Sequence, residues 1–323
     1  MSKPVLFASF RPLERAENLH ALYEAYTGNK VHIMQSDQHY RSEVLSGKYD
    51  LMVTDDFPSV TPGKCIMIWH AIQGGKKIGL DQPGTPYYDR KLADNMTYII
   101  SAGSHMTHIW SRCTGVPKER ILPLGFPRTD EYFLNNDEPH SKKIYLYVPT
   151  FRDKLDPPFH PVDWAYIDSQ LTDGEVFVVK AHPWQAQYNV DQVTQDIRNG
   201  QYKHIVVLSP ATPTSPFLYN ADVVITDYSS VMFDAYILNK PVVLFDTDKT
   251  EQYVNVRGMY MTYPYDYCPF IAHDEKALIG GVRYRTKYPY LTPSEKRCLD
   301  LVADACDGHS CERICNLIND LNK

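Results

Sequence analysis

Residues 221–246 read ADVVITDYSSVMFDAYILNKPVVLFD, and this stretch decides the fold. It begins with an apolar run, Val223 to Ile225, that is typical of a buried strand in a parallel sheet. Small polar residues follow at 226–230, where a helix should begin. A run with helical spacing, 231–238, then leads through Asn239-Lys240-Pro241 into a second apolar run. The pattern predicts a strand–helix–strand unit of a parallel α/β sheet.

The polar residues between the predicted strand and helix suit a phosphate. Thr226, Ser229 and Ser230 bring hydroxyl groups to a helix start, where backbone N–H groups are unpaired and the helix dipole is positive. An ordinary helix cap is the alternative, because Ser and Asp are also the preferred capping residues. These residues alone leave both interpretations open.

Three other predicted strands also end in polar or charged residues. They lie at 66–70 (IMIWH), 145–153 (YLYVPTFRD) and 176–183 (VFVVKAHP). Ligands bind outside the carboxyl ends of the strands in open α/β sheets. Four polar strand ends therefore predict a ligand site, and its candidate residues include His70, Arg152, Lys180 and His182.

Strands and helices alternate through two halves of the chain, on either side of a polar, turn-rich segment at 135–142. The predicted fold class is α/β, with two facing Rossmann-like doubly wound domains and the site in the cleft between them. The predicted domains are 1–134 and 143–290. Two closing helices at 291–323 are predicted to pack across both domains.

Six motifs together resemble the CDP-glycerol glycerophosphotransferases, which build teichoic acids and related capsular polymers. One position departs from the family pattern, which usually reads Trp-His-Gly-Thr where this chain has Trp69-His70-Ala71-Ile72. The change removes the conformational freedom of a glycine and one hydroxyl group, and it bears on the acceptor or the transferred group. The motifs are WHAIQGGKKIG (69–79), GFPRTDEYF (125–133), YVPTFRD (147–153), KAHP (180–183), TDYSSVMFDAYILNKPVVLFDTD (226–248) and, more loosely, YVNVRGMY (253–260).

The resemblance implies the glycosyltransferase-B type architecture and transfer of glycerol phosphate from CDP-glycerol to an acceptor hydroxyl, with release of CMP. The acceptor would be a lipid-linked or polymeric glycan, entering from the N-terminal side. His70 suits the general base, because imidazole titrates near neutral pH, and the alternative is a histidine that only hydrogen-bonds its loop. His182 would donate to a phosphate oxygen or protonate the leaving group. Arg152 would clamp the pyrophosphate, or else pair with Asp153 or Asp156.

Further residues follow from the same motifs. Thr226, Ser229 and Ser230 would cradle the donor phosphates, and Asp227 would orient their loop or hold a ribose hydroxyl. Arg128 and Lys76 are predicted to contact the acceptor or a phosphate. No DxD-like pair or carboxylate cluster stands out in the sequence as a site for a divalent metal, so we expect no essential metal and no cofactor. The remaining donor-binding candidates are Lys180, Thr150 and Arg257.

Composition narrows the class of protein. A net charge of −6 over 323 residues argues against a nucleic-acid partner, because phosphate backbones need basic faces. The sequence has no apolar run of about 20 residues and no signal-peptide pattern, so we expect a cytoplasmic protein. The basic run at 283–287 could touch anionic lipid at the inner face of the membrane, although a solvated surface is favoured. Seven cysteines without a CxxC pair indicate packing in a reducing compartment.

Other functions fit the same architecture. A nucleotide-sugar glycosyltransferase, a sugar-nucleotide epimerase and a transferase that uses CDP-ribitol would share the phosphate-binding helix start, because a fold does not fix a function. A binding module without activity is a further alternative. An active phosphotransferase is favoured, since His70, Arg152 and His182 are all present.

Overall fold

The computed structural model describes residues 2–83, 90–134, 140–150, 162–182, 195, 199–209, 211–246 and 250–323, with the backbone alone at 90–92 and 250–253. The chain divides into two compact units. Unit 1 consists of Met1–Gln73, Lys77–Leu134 and Asp300–Lys323, and unit 2 consists of Gly74–Lys76 and Asn135–Leu299.

Unit 1 is built on a parallel sheet of six strands in the order β2-β1-β3-β4-β5-β6. The central strands are apolar and buried on both faces, as parallel strands covered by helices should be. The strands are β1 (Val5–Ser9), β2 (Lys30–Met34), β3 (Leu51–Thr54), β4 (Lys64–Ile68), β5 (Tyr98–Ser101) and β6 (Ile121–Pro123).

The helices of unit 1 are short, and several connections are 3₁₀ turns. The α-helices are α1 (Glu17–Ala25), α2 (Tyr40–Val44), α3 (Thr107–Thr114) and the C-terminal α10 (Ser310–Leu321). The 3₁₀ segments are Leu13–Arg15, Gly79–Asp81, Arg90–Asn95, Lys118–Arg120 and Pro127–Phe133.

Unit 2 contains a second parallel sheet of six strands, in the order β12-β11-β10-β7-β8-β9. Its strands are β7 (Lys143–Tyr147), β8 (Glu175–Val179), β9 (Ile205–Val207), β10 (Val223–Thr226), β11 (Val242–Phe245) and β12 (Ile271–Ala272). Its helices are α4 (Trp164–Gln170), α5 (Ser215–Asn220), α6 (Val231–Ile237), α7 (Thr250–Arg257) and α8 (Glu275–Lys287), and α9 (Pro293–Ala303) contains the boundary at Leu299.

A buried ion pair holds α8 to the start of α9. Nη2 of Arg285 donates to both carboxylate oxygens of Glu295, at 2.9 and 3.0 Å, and the two side chains are 1% and 0% exposed. Glu295 also accepts from the backbone N–H and the hydroxyl of Thr292. The guanidinium carbon lies 4.3 Å from the centre of the Phe270 ring. The pair is therefore desolvated, and both carboxylate oxygens are hydrogen-bonded, although Nε of Arg285 is buried without a hydrogen-bond partner among the described residues.

Each sheet has one point at which the chain reverses the direction in which it adds strands. In unit 1 this switch point lies between β1 and β3, and in unit 2 it lies between β7 and β10. In doubly wound folds the loops after the two strands at this point part and leave a crevice for ligands. Strand order thus marks one candidate binding edge in each unit.

The predicted fold class is confirmed, since both units are parallel α/β sheets of the Rossmann type. Of the predicted inter-domain segment, residues 135–139 lie outside the described part of the chain. Of the seven free cysteines, five are buried and two are half-buried. Within the described residues, no helix combines the length and the apolar composition that crossing a membrane requires.

Candidate active site

The switch point of unit 2 is held together by one carboxylate. Asp227, directly after β10, is 1% exposed. Its Oδ1 accepts hydrogen bonds from the backbone N–H of Thr150, at 2.8 Å, and from that of Tyr228, at 2.6 Å. Thr150 belongs to the loop after β7, so Asp227 ties together the two loops that border the crevice. This geometry matches the loop-orienting role that was one of the two alternatives for Asp227.

The hydroxyl group of Thr226 is already used inside the unit. The side chain is fully buried, and its Oγ1 donates to the carbonyl of Val148 at 2.7 Å. The backbone N–H of Val148 in turn donates to Ile225 at 2.8 Å. Thr226 therefore fixes the end of β7, and a direct contact with a donor phosphate would require this bond to be exchanged.

The two serines before α6 are better placed for a ligand. Both are half-buried. Oγ of Ser229 accepts from the backbone N–H of Val231 at 3.4 Å, which is longer than an ordinary hydrogen bond. Ser230 occupies the N-cap position, yet its side chain makes no capping hydrogen bond. The capping alternative is thus not what the structure has at Ser230.

Two candidate cationic groups follow β8. Lys180 is 4% exposed, and its backbone N–H donates to Tyr147 at 2.8 Å. A buried ammonium group is stable only when polar partners compensate its lost hydration. His182 lies two residues further along and is half-buried. Because β8 is next to β7, both residues lie at the carboxyl edge that also carries Thr150.

An aromatic cluster supports the same edge of unit 2. The Tyr228 hydroxyl donates to Oδ1 of Asp246 at 2.9 Å, and its ring lies 4.8 Å from that of Tyr263. Nδ1 of His273 lies 3.0 Å from the carbonyl oxygen of Asp246. Burial raises the pKa of Tyr263 well above its ordinary value, and the charge of Asp246 adds to this. Tyr263 therefore stays neutral near pH 7.

The segment Gly74–Lys76 belongs to unit 2, although His70, which closely precedes it in the sequence, belongs to unit 1. The carbonyl of Gly74 accepts from the Tyr267 hydroxyl at 2.7 Å, and that of Gly75 accepts from the backbone N–H of Tyr260 at 3.0 Å. Lys76 forms an antiparallel bridge with Met259. Lys76 is therefore paired with a residue that lies two positions after Arg257, the last residue of α7.

The candidate base of unit 1 follows β4. The imidazole of His70 is exposed, and its ring centre lies 4.4 Å from that of Trp69. Trp69 is itself 5% exposed and packs against Phe57 and Trp110, at 5.1 and 6.1 Å between ring centres. The exposed His70 ring therefore packs against a buried cluster of aromatic side chains.

Two buried side chains fix the backbone at His70. Nδ2 of Asn18 donates to the carbonyl of Trp69 at 2.8 Å, and Nη1 of Arg128 donates to the carbonyl of His70 at 2.8 Å. Oδ1 of Asn18 accepts from the backbone N–H of Arg128 at 3.2 Å, which links the two. Nε of Arg128 also lies 3.8 Å from the Glu17 carboxylate. Arg128 is 5% exposed, so these contacts make it a positioning residue for His70 more readily than a phosphate ligand.

The backbone at the two positions that depart from the family pattern accommodates the residues that are present. The φ angle of Ala71 lies outside the left-handed region, so this backbone does not require glycine. Ile72 is 1% exposed, and its side chain is part of the core of unit 1. Alanine and isoleucine are therefore both accommodated at these positions without strain.

The structure does not test every predicted residue. Arg152 and Asp153 lie outside the described part of the chain, as does Pro183 after His182. Within the described residues, no group of three or more His, Cys, Asp or Glu side chains could hold a metal ion. The roles of the site residues, and the expectation that no metal is needed, stay predictions.

Several residues at these edges were missed by the sequence analysis. Asn18 had a signal, because it is a polar residue beside Leu19 on the buried face of α1. Asp55 and Asp56 could have been identified by the rule that found the predicted residues, since they are polar residues directly after an apolar strand. Tyr228 had none, because its hydroxyl contact with Asp246 depends on the packing of two loops.

A family model described as CDP-Glycerol:Poly(glycerophosphate) glycerophosphotransferase matches residues 1–320. The chain belongs to this family. The match confirms the family that the motifs predicted and, with it, the prediction that the protein is an enzyme, a glycerophosphotransferase.

Curated relatives of this glycerophosphotransferase align over most of its length. It is 27% identical over 314 residues to a teichoic acid glycerol-phosphate primase of Bacillus subtilis, which covers 91% of the chain and 78% of the primase. It is 28% identical over 316 residues to a teichoic acid poly(ribitol-phosphate) polymerase of Bacillus spizizenii. That alignment covers 84% of the chain and 48% of the polymerase, so the chain spans about half the length of the polymerase.

Solved structures show the same fold. The wall teichoic acid polymerase TagF superposes with a TM-score of 0.75 at 20% identity, over 98% of the glycerophosphotransferase and 88% of the TagF chain. A UDP-GlcNAc 2-epimerase of Neisseria meningitidis gives a TM-score of 0.56 at 11% identity, over 98% and 100%. At these identities the likeness concerns the fold alone.

Proposed function

We propose that this protein transfers glycerol phosphate from CDP-glycerol to a hydroxyl group of a lipid-linked or polymeric glycan and releases CMP, in the synthesis of a teichoic-acid-type polymer. Family membership supports the donor, as does the similarity to a glycerol-phosphate primase. The observation that carries the proposal is the pair of loops joined by Asp227, with two serines above it, at the switch point of unit 2. This is where a doubly wound domain binds a nucleotide.

The groups of unit 2 would bind the donor. Ser229 and Ser230 would donate hydrogen bonds to the pyrophosphate, and the cations of Lys180, Lys76 and Arg257 would offset its charge. A clamp by Arg152 would add a planar pair of donors. His182 would hydrogen-bond the phosphate of the leaving CMP. In this scheme the protein itself supplies the positive charge that stabilises the transition state.

The groups of unit 1 would act on the acceptor. A hydroxyl oxygen of the acceptor attacks the phosphorus that carries glycerol, and the bond from this phosphorus to the bridging oxygen breaks. His70 takes the hydroxyl proton, and CMP leaves with the bridging oxygen. General base catalysis of this kind usually accounts for 10²- to 10⁴-fold in rate. Because the donor is a nucleotide, we place the reaction in the cytoplasm, with the acceptor lipid at the inner face of the membrane.

CDP-ribitol is a second candidate donor, because a poly(ribitol-phosphate) polymerase is 28% identical to the chain. Calorimetry with CDP-glycerol, CDP-ribitol and UDP-GlcNAc, added to the purified chain, separates these donors from a nucleotide sugar. We expect a CDP-polyol to bind and UDP-GlcNAc not to bind. Tight binding of UDP-GlcNAc alone would favour a glycosyltransferase or an epimerase instead.

The same measurement tests the serine pair. Replacing Ser229 and Ser230 with alanine removes two hydrogen-bond donors and should weaken CDP-polyol binding by about 1–3 kcal/mol. Ser169→Ala is a matched control, since Ser169 is an exposed serine of the same unit whose hydroxyl group donates to Tyr166 and accepts from Gln170, both in its own helix. Unchanged donor affinity in the double variant would remove these serines from the site.

A further inference from the structure

The carboxyl edge of unit 1 carries a second cluster, at the switch point between β1 and β3. Phe10 follows β1, and Asp55 and Asp56 follow β3. The neighbouring strand β4 leads to His70. Since these strands are adjacent and parallel, the three loops share one edge of the sheet. The crevice expected at a switch point therefore lies beside the strand of the candidate base.

Asp55 is a buried carboxylate in which one oxygen is hydrogen-bonded and the other has no hydrogen-bond partner among the described residues. The residue is 2% exposed, and its Oδ1 accepts from the backbone N–H of Phe10 at 2.8 Å. Among the described residues, no group hydrogen-bonds Oδ2, although this atom is buried. A buried carboxylate oxygen without a partner costs stability, so its retention calls for an explanation outside the folded core.

The charge state of this carboxylate fits a polar ligand. Burial raises the pKa of Asp55 to about 6, the Phe10 N–H and the Arg11 charge counteract this, and the charge of Asp56 adds to it. Burial also raises the pKa of Asp56, which is half-buried. A ligand hydroxyl that donates to such a group recovers the hydrogen bond that folding removed.

Phe10 provides the other half of the surface. Its side chain is 54% exposed, and its backbone is fixed by the bond to Asp55. An exposed ring held rigidly beside carboxylates suits a ligand that has both C–H faces and hydroxyl groups, such as a sugar or a polyol. Two neighbouring carboxylates would repel a pyrophosphate, which makes the donor a poor ligand for this edge.

We propose that Phe10, Asp55 and Asp56 form an acceptor subsite, in which the ring covers the C–H face of a sugar or polyol unit and the carboxylates accept hydrogen bonds from its hydroxyl groups. The inference rests on the proposed function and adds to it the chemistry by which the acceptor is recognised. Asp55 is the specificity-determining residue of the subsite, because its second oxygen gains a partner only when the acceptor is bound.

Kinetics of the full chain test the subsite. The probes are CDP-glycerol and a synthetic glycerol phosphate tetramer as acceptor, and the readout is the KM of each substrate from CMP release. Phe10→Ala and Asp55→Asn should each raise the acceptor KM about tenfold and change the donor KM less than about twofold. Phe10→Ala truncates an exposed ring, so it tests the subsite even if Asp55→Asn does not fold.

Two matched controls lie elsewhere in unit 1. Leu45→Ala removes a side chain that is 56% exposed, and Asp50→Asn neutralises a carboxylate just before β3, at the opposite end of the strand from Asp55. Neither should change the acceptor KM. An unchanged acceptor KM in Phe10→Ala, with normal CMP release, would overturn the subsite and leave the proposed function standing.

A binding measurement separates this failure from a failure of the proposed function. Saturation-transfer NMR detects the tetramer on the wild-type chain without turnover. If no donor yields CMP, the proposed transfer reaction is wrong. Loss of tetramer binding in Phe10→Ala, but not in Leu45→Ala, would then still support the subsite, and equal binding in both variants would refute it.

Discussion

Arg128 donates a hydrogen bond from Nη1 to the backbone carbonyl of His70 across 2.8 Å, although the two residues are 58 positions apart in the sequence. The Arg128 side chain is almost fully buried, and the backbone N–H of Arg128 donates to Asn18, which in turn donates to the preceding carbonyl, that of Trp69. This charged donor fixes the backbone of His70 and thereby the position of its exposed imidazole ring. This relationship makes Arg128 a determinant of turnover without placing it on a substrate.

Arg128→Lys should lower kcat about tenfold or more and leave the donor KM nearly unchanged. Lysine keeps the charge but cannot replace the planar guanidinium that reaches the His70 carbonyl, and a hydrogen bond from a charged donor contributes about 1.5–3 kcal/mol. Steady-state kinetics with CDP-glycerol give both constants. Arg112→Lys, an exposed arginine that pairs with Asp81 in the same unit, is the control. A raised donor KM with normal kcat would instead make Arg128 a phosphate ligand.

The two candidate histidines should behave differently. His70→Ala should lower kcat by about 10²- to 10⁴-fold, because a general base is lost, and should leave donor affinity unchanged. His182→Ala should weaken donor binding as well as turnover, because its loop belongs to unit 2 with the donor groups. Calorimetry and initial rates measure the two effects. Near-normal turnover in His70→Ala would transfer the base role to His182.

The stability of the protein should depend on pH through Asp55. Its pKa is raised from 3.8 to about 6 in the folded chain, so the folded state binds more protons than the unfolded state between these values. Stability from this group is therefore present at about pH 4 and is lost as the pH rises through about 6. Asp55→Asn cannot ionise, so its stability relative to wild type should rise by about 1–3 kcal/mol between about pH 4 and 7.5.

Urea unfolding at both pH values measures this difference. Asp50→Asn serves as the control for the loss of a carboxylate, since Asp50 is an exposed residue of the same unit that pairs with Lys3. If the difference in the free energy of unfolding between Asp55→Asn and wild type does not change with pH, burial does not destabilise the Asp55 carboxylate. Greater stability together with poorer acceptor use is the pattern expected of a residue kept for binding.

The ion pair between Arg285 and Glu295 should be costly to break. Glu295→Ala leaves a guanidinium buried without its carboxylate, and we expect a loss of about 3–5 kcal/mol in the free energy of unfolding. Replacing both members, Arg285→Met with Glu295→Leu, should recover most of this loss, because no charge stays buried. Glu312→Ala, at an exposed glutamate, is the control. A loss below about 1 kcal/mol for Glu295→Ala would contradict the account.

Much of the fold could be predicted because apolar runs directly mark buried parallel strands. The runs that became β10 and β11 lie where the sequence placed them, and the two closing helices predicted within 291–323 are α9 and α10. The order of strands could not be predicted, since it depends on contacts between segments far apart in sequence. Without the strand order, the switch points could not be located, and Asp55 and Asp56 could not be assigned to one of them.

The candidate site could be predicted in part for a similar reason. Polar residues at strand ends identify the edge of a sheet, and this rule found His70, Lys180 and Asp227. Which polar groups the protein uses for itself could not be predicted, because this depends on the local packing. Thr226 illustrates the point, since its hydroxyl looks available in the sequence and is bound to Val148 in the structure.

The most direct test of the central claim is the stoichiometry of transfer. The purified chain is incubated with CDP-glycerol labelled in the glycerol phosphate and with a lipid-linked disaccharide that carries one glycerol phosphate, and CMP and labelled lipid are counted together. We expect one labelled glycerol phosphate on the lipid for each CMP released, with both products lost in His70→Ala. No CMP from CDP-glycerol or CDP-ribitol, or CMP without labelled lipid, would contradict this claim.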